Sequence, residues 1–330
     1  MVFAWHFIHI NDNHLAPPSI IPLPLLTEGH TGVALFMTLS GYLFAKLLED
    51  KKISYPSFLW NRALRLLPLL ALVVLIVGVR DYYGDGQYLA YMRRILSGLV
   101  KPSLPNGGWS ITVEFHFYLI LPLLLYFSNR FKYALFAFVL SAVAIRYLIY
   151  LETGEVQTLA YLTIIGRIDQ FVLGIAAYQF RDLLKNRNVL AGAVFLAFSS
   201  FYWYFESLGG FYQYPGFPSS SPIWVFMTTI EGLVYAILIA WYDNSFRHTT
   251  GRISRFFALI GTYSYSIYLL HFFFFRQLSA IIDRYVVDLS NVYCALLLAP
   301  LAFLMMVPLG YISYRFIESP FLKYRTRYIR

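Results

Sequence analysis

Ionisable side chains interrupt several apolar stretches that are long enough to cross a lipid bilayer. Each such group in hydrocarbon costs about 2.5 to 3.5 kcal/mol on membrane-insertion scales, so each is a candidate functional residue. Histidines and carboxylates together are the residue types that acid–base chemistry needs. The residues concerned are His6, His9, Glu114, His116, Arg167, Asp169, Glu231 and His271.

Three of these residues are predicted to share one depth in the outer half of the bilayer. A helix rises about 1.5 Å per residue, which puts His6, Glu114 and His271 at a similar level. A histidine beside a carboxylate can remove the proton of a hydroxyl group, while the carboxylate orients the imidazole. A hydrogen-bonded helix contact is the alternative role for each histidine. Arg167 and Asp169 come nearer the middle, where they would support the site or form only a neutralised pair.

Two arginines stand three residues apart in the sequence WNRALRLLP, at the start of an apolar stretch. Arg62 and Arg65 therefore point the same way from a helix. Two guanidinium groups on one face suit the bidentate binding of phosphate oxygens. The tendency of basic residues to remain on the cytoplasmic side is the alternative explanation.

A third cluster follows a glycine-rich loop in the sequence NGGWSITVEFHFYLILP. Trp109 and Ser110 begin the apolar stretch, and Glu114 lies five residues after Trp109. An aromatic belt at the membrane surface explains the tryptophan but not a glutamate further into the membrane. Glu114 is therefore the carboxylate that we predict to be catalytic.

The elements that carry these residues are predicted to be membrane-spanning helices. The chain of 330 residues is 59% hydrophobic and 13% charged, with a mean hydropathy of +0.59, whereas soluble domains are about a quarter charged. Its apolar runs have the length that a helix needs to cross a bilayer. We predict one all-α domain over 1–330, a polytopic transmembrane bundle of about ten helices. The predicted spans are 31–48, 64–80, 110–127, 133–150, 158–179, 189–206, 223–242, 256–275 and 292–314, after a partial helix at 1–10.

Basic residues set the predicted orientation. The segments that would be cytoplasmic hold 17 of the lysines and arginines, against 6 in the outer segments. The C-terminus is then cytoplasmic, and residues 87–101 are predicted to form a helix on the membrane surface. Three outer segments, 11–30, 151–157 and 207–222, hold no lysine or arginine. The net charge of +9 is spread over helix ends, which argues against nucleic acid as a partner.

The chain resembles the acyltransferase type 3 family, whose members are membrane proteins that O-acylate sugars of surface glycans or secondary metabolites. The stretches that match, in order, are GHTGVALFMTLSGYLFAKLL (29–48), FLWNRALRLLP (58–68), GGWSITVEFHFYLILP (107–122), GRIDQFVLGIAA (166–177), GTYSYSIYLLHFFFF (261–275) and YRFIESPF (314–321). Each is weak alone, but their order covers nearly the whole chain.

The resemblance implies a role for each candidate. His6 would activate the acceptor hydroxyl, Arg62 and Arg65 would hold the phosphates of a cytoplasmic acyl-CoA donor such as acetyl-CoA, and Trp109 with Glu114 would shape the acyl site. Ser110, Arg167, Asp169 and His271 would bind substrate or support the site. No bound cofactor is implied, and the lone Cys294 argues against a cysteine metal site. The membrane would be the cytoplasmic membrane of a bacterium.

The family motif of an arginine, ten intervening residues and a histidine is half present. His6 in MVFAWHF matches the histidine, and the arginine would lie before Met1. His9 would also need a residue before Met1. We therefore expect the first helix to be truncated, at the helix that would carry the catalytic histidine.

The sequence is also compatible with two other functions. A transporter or a flippase of a lipid-linked glycan would also use buried charges and many helices, although no paired broken helices are visible. The second of these functions is that of an inactive relative of the family that acts only by binding other molecules. Aromatic residues in 201–217 would stack on acceptor sugars, or would belong to an interfacial aromatic belt.

Overall fold

The computed structural model describes residues 1–9, 16–49, 51–84, 86, 88–131, 133–247 and 249–329. These residues form α-helices with one π-helical turn near the end of the chain, which confirms the all-α prediction. The helices are α1 (Val2–Ile8), α2 (Pro24–Thr27), α3 (Thr31–Leu48), α4 (Tyr55–Gly84), α5 (Tyr88–Ser97), α6 (Trp109–Arg130), α7 (Ala134–Thr153), α8 (Gln157–Leu162), α9 (Ile164–Gln179), α10 (Arg181–Leu184), α11 (Asn188–Ser207), α12 (Gly210–Gln213), α13 (Ile223–Ser245), α14 (Arg252–Tyr285), α15 (Val292–Ser313) and α16 (Ser319–Leu322), with the π-helical turn at Tyr314–Glu318.

Eight helices within the described ranges are long and apolar enough to cross a membrane. They are α3, α4, α6, α7, α11, α13, α14 and the continuous helical stretch Val292–Leu322. Each overlaps a predicted span, and α3 reproduces the predicted bounds 31–48. The chain is therefore a multi-pass membrane protein.

The predicted span 158–179 differs, because it is two helices. Thr163 adopts an extended conformation between α8 and α9, and its hydroxyl accepts a hydrogen bond from the backbone N–H of Gly166 at 3.2 Å. This is an N-cap, which satisfies a backbone donor that the break would otherwise leave exposed. The cap therefore starts α9 at Ile164.

The predicted surface helix is shorter than expected. The segment 87–101 contains α5, which covers Tyr88–Ser97, and Tyr91 is its buried residue. Gln87 lies outside the described residues, as do residues 10–15 at the start of the outer segment 11–30.

The described chain divides into two compact units. Unit 1 contains 1–49, 113–248 and 290–296, and unit 2 contains 50–112, 249–289 and 297–330. Helix α9 is the centre of unit 1, where it packs against α3, α7 and α13. Most of its side chains are buried, including the charged ones.

The close contact of α3 with α9 depends on two glycines. A β-carbon at Gly41 would collide with the backbone carbonyl of Phe171, and one at Gly174 would collide with that of Thr38. Small residues let helix backbones approach in this way within membranes. The contact brings the polar residues of α9 close to the N-terminal end of α3.

Candidate functional site

A fully buried histidine in unit 1 lies between two carboxylates. The Nδ1 atom of His30 is 3.1 Å from Oε2 of Glu28, and its Nε2 atom is 3.9 Å from Oε1 of Glu231. The three residues are 0%, 3% and 1% exposed, respectively. The sequence predicted that a histidine and a carboxylate would meet, and the structure shows such a meeting at residues that were not predicted for it.

The turn between α2 and α3 positions Glu28. Its backbone N–H bonds to the carbonyl of Pro24 at 2.8 Å, which ends α2. Its side-chain Oε1 accepts a hydrogen bond from the backbone N–H of Phe211 at 3.2 Å. Gly210 has a φ of +59°, and a β-carbon there would collide with the Glu28 carboxylate. Position 210 therefore favours glycine for two reasons: the backbone has a positive φ, and there is no room for a β-carbon.

Polar contacts continue from His30 to the centre of α9. Glu231 accepts hydrogen bonds from the Tyr202 hydroxyl at 2.6 Å and from Nε2 of Gln170 at 3.1 Å. Oε1 of Gln170 in turn accepts from Nη1 of Arg167 at 2.9 Å. A continuous line of buried polar groups thus runs from Glu28 through His30, Glu231 and Gln170 to Arg167. We call these five residues the buried line.

Burial shifts the pKa values of the two residues at the Glu28 end of the buried line. It raises the pKa of Glu28 to about 7, although the neighbouring His9 charge and the Phe211 N–H act in the opposite direction. Burial also lowers the pKa of His30 to about 4, against the attraction of the Glu231 carboxylate. Burial therefore favours the uncharged imidazole and the protonated form of the Glu28 carboxyl.

His6 lies on α1 and is half-buried. It is linked to His30 through the Trp5 ring, which contacts both histidines. The Trp5 ring is 4.7 Å from the His6 ring and 5.6 Å from the His30 ring, measured between centroids. Trp5 also stacks on Tyr212 at 5.7 Å, with the planes 12° apart. The Nδ1 atom of His9 lies 2.9 Å from the carbonyl of Trp5. The role predicted for His6 stays a prediction.

Asp169 is paired with Arg146, which was not among the predicted site residues. Its Oδ2 atom accepts from Nη2 of Arg146 at 2.8 Å and from the Thr229 hydroxyl. Arg146 donates further to the carbonyls of Val225 and Gly166, each at 2.8 Å. It lies within the predicted span 133–150, so the rule that flagged the other intramembrane charges would have found it.

Glu114 belongs to unit 1 and is buried on α6. Its carboxylate accepts a hydrogen bond from the Tyr118 hydroxyl, one helical turn further along. The Tyr118 ring packs edge-on against Phe44 of α3, with centroids 5.5 Å apart. These contacts fix the carboxylate on the face of α6 that packs against α3.

Ser110 and His271 belong to unit 2 and are linked through Tyr268. The Ser110 hydroxyl is 2.8 Å from the Tyr268 hydroxyl, which donates to the carbonyl of Gly107 at 3.0 Å. The backbone carbonyl of Tyr268 lies 2.6 Å from Nδ1 of His271. Trp109 is half-buried at the first position of α6. These three predicted residues thus lie close to one another along two helices.

Arg65 in unit 2 already has a carboxylate partner. Its Nη1 atom is 2.5 Å from Oε2 of Glu318, and its Nη2 atom donates to the carbonyl of Thr262 at 3.2 Å. Arg62 lies over the ring of Phe58 at 5.5 Å. Both arginines are half-buried, so part of each side chain reaches solvent.

The three segments without lysine or arginine meet in unit 1. Gln157 donates from Nε2 to the carbonyl of Phe211 at 2.9 Å and accepts at Oε1 from the backbone N–H of Ser219. Phe211 also donates to Glu28, as described above. Segments 16–30, 151–157 and 207–222 are therefore joined by hydrogen bonds. Their common side of the membrane stays a prediction.

Metal binding has no cluster to support it in the part of the chain that the structure describes. No group of three histidine, cysteine, aspartate or glutamate side chains there is placed to hold a metal ion.

Comparison with known proteins gives one family and one curated relative. A model of the type 3 family, Acyl_transf_3, described as an acyltransferase domain, matches residues 1–315. Nodulation protein 10 of Rhizobium leguminosarum bv. viciae is 32% identical over 157 residues, which cover 40% of this chain. The match spans 41% of that relative's length. No solved structure matches the chain.

Proposed function

This chain belongs to the acyltransferase type 3 family, and we propose that it transfers an acyl group from acyl-CoA to a hydroxyl of a carbohydrate or glycan. The acyl group is acetyl, the donor is cytoplasmic, and the acceptor is on the outer side of a bacterial cytoplasmic membrane. The C-terminus is cytoplasmic in this proposal, as the distribution of basic residues favours.

The single observation that carries the proposal is the enclosed pair of Glu28 and His30 beside α1. An acceptor hydroxyl must lose its proton as its oxygen attacks the thioester carbon, so acyl transfer needs a base. His30 is fully enclosed, whereas His6 is half-buried. We assign proton removal to His6, and to Glu28 and His30 the positioning of Trp5, which contacts both histidines.

The proposed step is a direct exchange of one ester for another. The acceptor oxygen bonds to the acyl carbon, and the bond from that carbon to the sulfur of CoA breaks. The sulfur leaves with the electron pair, and the proton taken by His6 neutralises it as the free thiol of CoA. We assign to Glu114 the support of the charge that forms on the imidazole.

Donor and acceptor would be bound by different kinds of residues. The guanidinium groups of Arg62 and Arg65 suit the phosphates of acyl-CoA. The acceptor suits the aromatic side of unit 1, where Tyr212 is 39% exposed and Phe217 is 53% exposed. Trp109 shapes the acyl site. We assign supporting roles to Ser110 and His271 in unit 2 and to Arg167 and Asp169 in unit 1.

A reconstituted assay tests the proposal. The purified chain in proteoliposomes receives acetyl-CoA labelled in the acetyl group, with glycans from candidate hosts as acceptors. We expect base-labile label on the glycan with the wild-type chain and with His9→Ala, and none with His6→Ala or Glu114→Gln. His9 is the matched control, since it lies on the same short segment. Equal labelling by all variants would refute the catalytic assignment.

A transporter or flippase of a lipid-linked glycan is the second candidate. The observation that favours it is the break at Thr163 between α8 and α9, because transporters bind substrates at interrupted helices. The same proteoliposomes distinguish the two functions. Movement of unmodified glycan across the membrane without acetyl-CoA would support transport, and transfer of label would support acylation.

A further inference from the structure

Segment 324–329 of unit 2 runs beside the start of α4. Nδ2 of Asn61 donates to the carbonyl of Thr326 at 2.7 Å, and the N–H of Thr326 donates to Oδ1 of Asn61 at 2.9 Å. The backbone N–H of Ser54 donates to the carbonyl of Tyr328 at 2.8 Å. These bonds attach the segment to the helix that carries Arg62 and Arg65.

The attachment also fixes the register of segment 324–329 against α4. One amide side chain, Asn61, satisfies both backbone groups of Thr326, so a slip by one residue would lose both bonds. Asn61 is 3% exposed, which makes such a loss costly. On one side of Thr326, Trp60 donates to the carbonyl of Tyr324 at 3.2 Å. The backbone is therefore held on both sides of Arg325.

The charges of the two arginines of α4 act on Arg325. Burial of its guanidinium lowers the pKa of Arg325, and the positive charges of Arg62 and Arg65 lower it further. The backbone attachment thus places Arg325 beside the start of α4, the helix that carries Arg62 and Arg65, and Glu318 is the carboxylate that pairs with Arg65. Neutral hydrogen bonds of the backbone hold these cations near one another. A bound anion would offset the repulsion between them.

We propose that Arg325 is the third member of a phosphate-binding site with Arg62 and Arg65, and that segment 324–329 builds this site by its attachment to α4. The ligand is the phosphate-bearing part of acyl-CoA, which carries a diphosphate and a separate phosphate ester. This inference rests on the proposed function for its donor. The family match ends at residue 315, so it assigns no role to Arg325.

Arg327 supplies a matched control within the same segment. Like Arg325 it is exposed, and its Nε atom donates to the carbonyl of Ile329 at 3.1 Å. Arg327 has the same charge and side chain as Arg325 and lies two residues away. Removal of either residue changes the net charge equally, so only a local role distinguishes them.

The test measures CoA binding to the purified full chain in nanodiscs of neutral lipid. We expect Arg325→Gln to weaken CoA binding about tenfold or more, as loss of one charge-assisted contact does, and Arg327→Gln to change it less than twofold. Arg325→Lys should recover part of the affinity, because it restores the charge without the planar guanidinium. Unfolding temperatures of all variants show whether the fold is kept.

Three results would overturn the inference. Equal binding by Arg325→Gln and Arg327→Gln in a wild type that binds CoA would overturn it alone and leave the donor proposal standing. Absence of CoA binding to the wild type would overturn the donor proposal as well. Nanodiscs that contain phosphatidylglycerol form the third arm. If Arg325→Gln reduced binding of this lipid and left CoA binding intact, the site would be one for lipid headgroups.

Discussion

The buried line of unit 1 differs in its charged residues from the arginine cluster of unit 2, which consists of Arg62, Arg65 and Arg325. In the buried line every charged side chain faces a polar partner, and water has no access. In the cluster, Arg62 and Arg65 are half-buried on α4, and Arg325 is exposed on the segment attached to that helix. One region combines acids with a base, and the other concentrates a single sign of charge.

This difference shows what each region can contribute to acyl transfer. Enclosed charges must satisfy one another when the chain folds, because no water compensates them. The buried line is therefore preorganised and suits the positioning of catalytic groups. Partly exposed cations are stabilised by solvent in the free protein and can exchange that solvent for an anionic ligand. The first region should govern stability and rate, and the second should govern donor affinity.

The largest expected effect is loss of the enclosed pair of Arg146 and Asp169. Arg146→Ala leaves a buried carboxylate without its guanidinium partner, which costs about 3 to 5 kcal/mol of unfolding free energy. Lys46→Ala is the control, since the Lys46 side chain is 44% exposed in its pair with Asp243, and such a pair contributes about 0 to 1 kcal/mol. Denaturant unfolding in micelles measures both. Equal losses would remove the distinction between enclosed and exposed charge.

Replacement of His30 should give the next largest effect. His30→Gln takes the imidazole from between Glu28 and Glu231, at a cost of about 1 to 3 kcal/mol for buried polar groups left unsatisfied. The transfer rate should fall, while the KM for acetyl-CoA stays the same. Kinetics with varied donor concentration test this. A change confined to donor KM would contradict a positioning role.

The opposite kinetic result is expected for the arginines of α4. Arg62→Gln and Arg65→Lys should each raise the KM for acetyl-CoA about tenfold, because one charge-assisted contact or one bidentate geometry is lost. The turnover number should change much less. Arg65→Lys keeps the charge that faces Glu318, so it separates donor binding from loss of the ion pair. An unchanged KM in both variants would return these residues to a role in topology.

The smallest expected effect is a dependence of stability on pH. Burial raises the pKa of Glu28 from 4.5 in the unfolded chain to about 7. The folded state therefore keeps its proton while the unfolded state loses it, and this contribution falls as pH rises from 4.5 to 7. His30 acts oppositely below pH 6.5, since burial lowers its pKa to about 4.

Glu28→Gln removes the first of these two contributions. The unfolding temperature of the wild type minus that of Glu28→Gln should decrease from pH 4.5 to pH 7 and stay constant above pH 7. A flat difference over this range would show that folding does not raise the pKa of Glu28.

Local patterns predicted the helices better than their interruptions. The bounds of α3 follow directly from an apolar run, because its length is a property of neighbouring residues. The break at Thr163 depends on a cap that threonine offers but does not impose. Threonine also occurs within helices, so the sequence alone did not end the span there.

The sequence indicated the residue types, a histidine beside a carboxylate, but it did not indicate Glu28 and His30, the residues that meet in the structure. Depth along a helix singled out Glu114 and Asp169, which the structure buries. Glu28 and His30 precede the span and have no helical depth. The sequence EGH in a segment without lysine or arginine was the available signal. Arg325 had no such signal, because its neighbours on α4 are more than 250 residues away in the chain.

The most direct test of acyl transfer is mass spectrometry of surface glycans from cells that express the wild type, His6→Ala or His9→Ala. The proposal predicts base-labile acetyl esters on a glycan with the wild type and with His9→Ala, and their absence with His6→Ala at equal amounts of membrane-inserted protein. The same ester content with His6→Ala as with the wild type would contradict it.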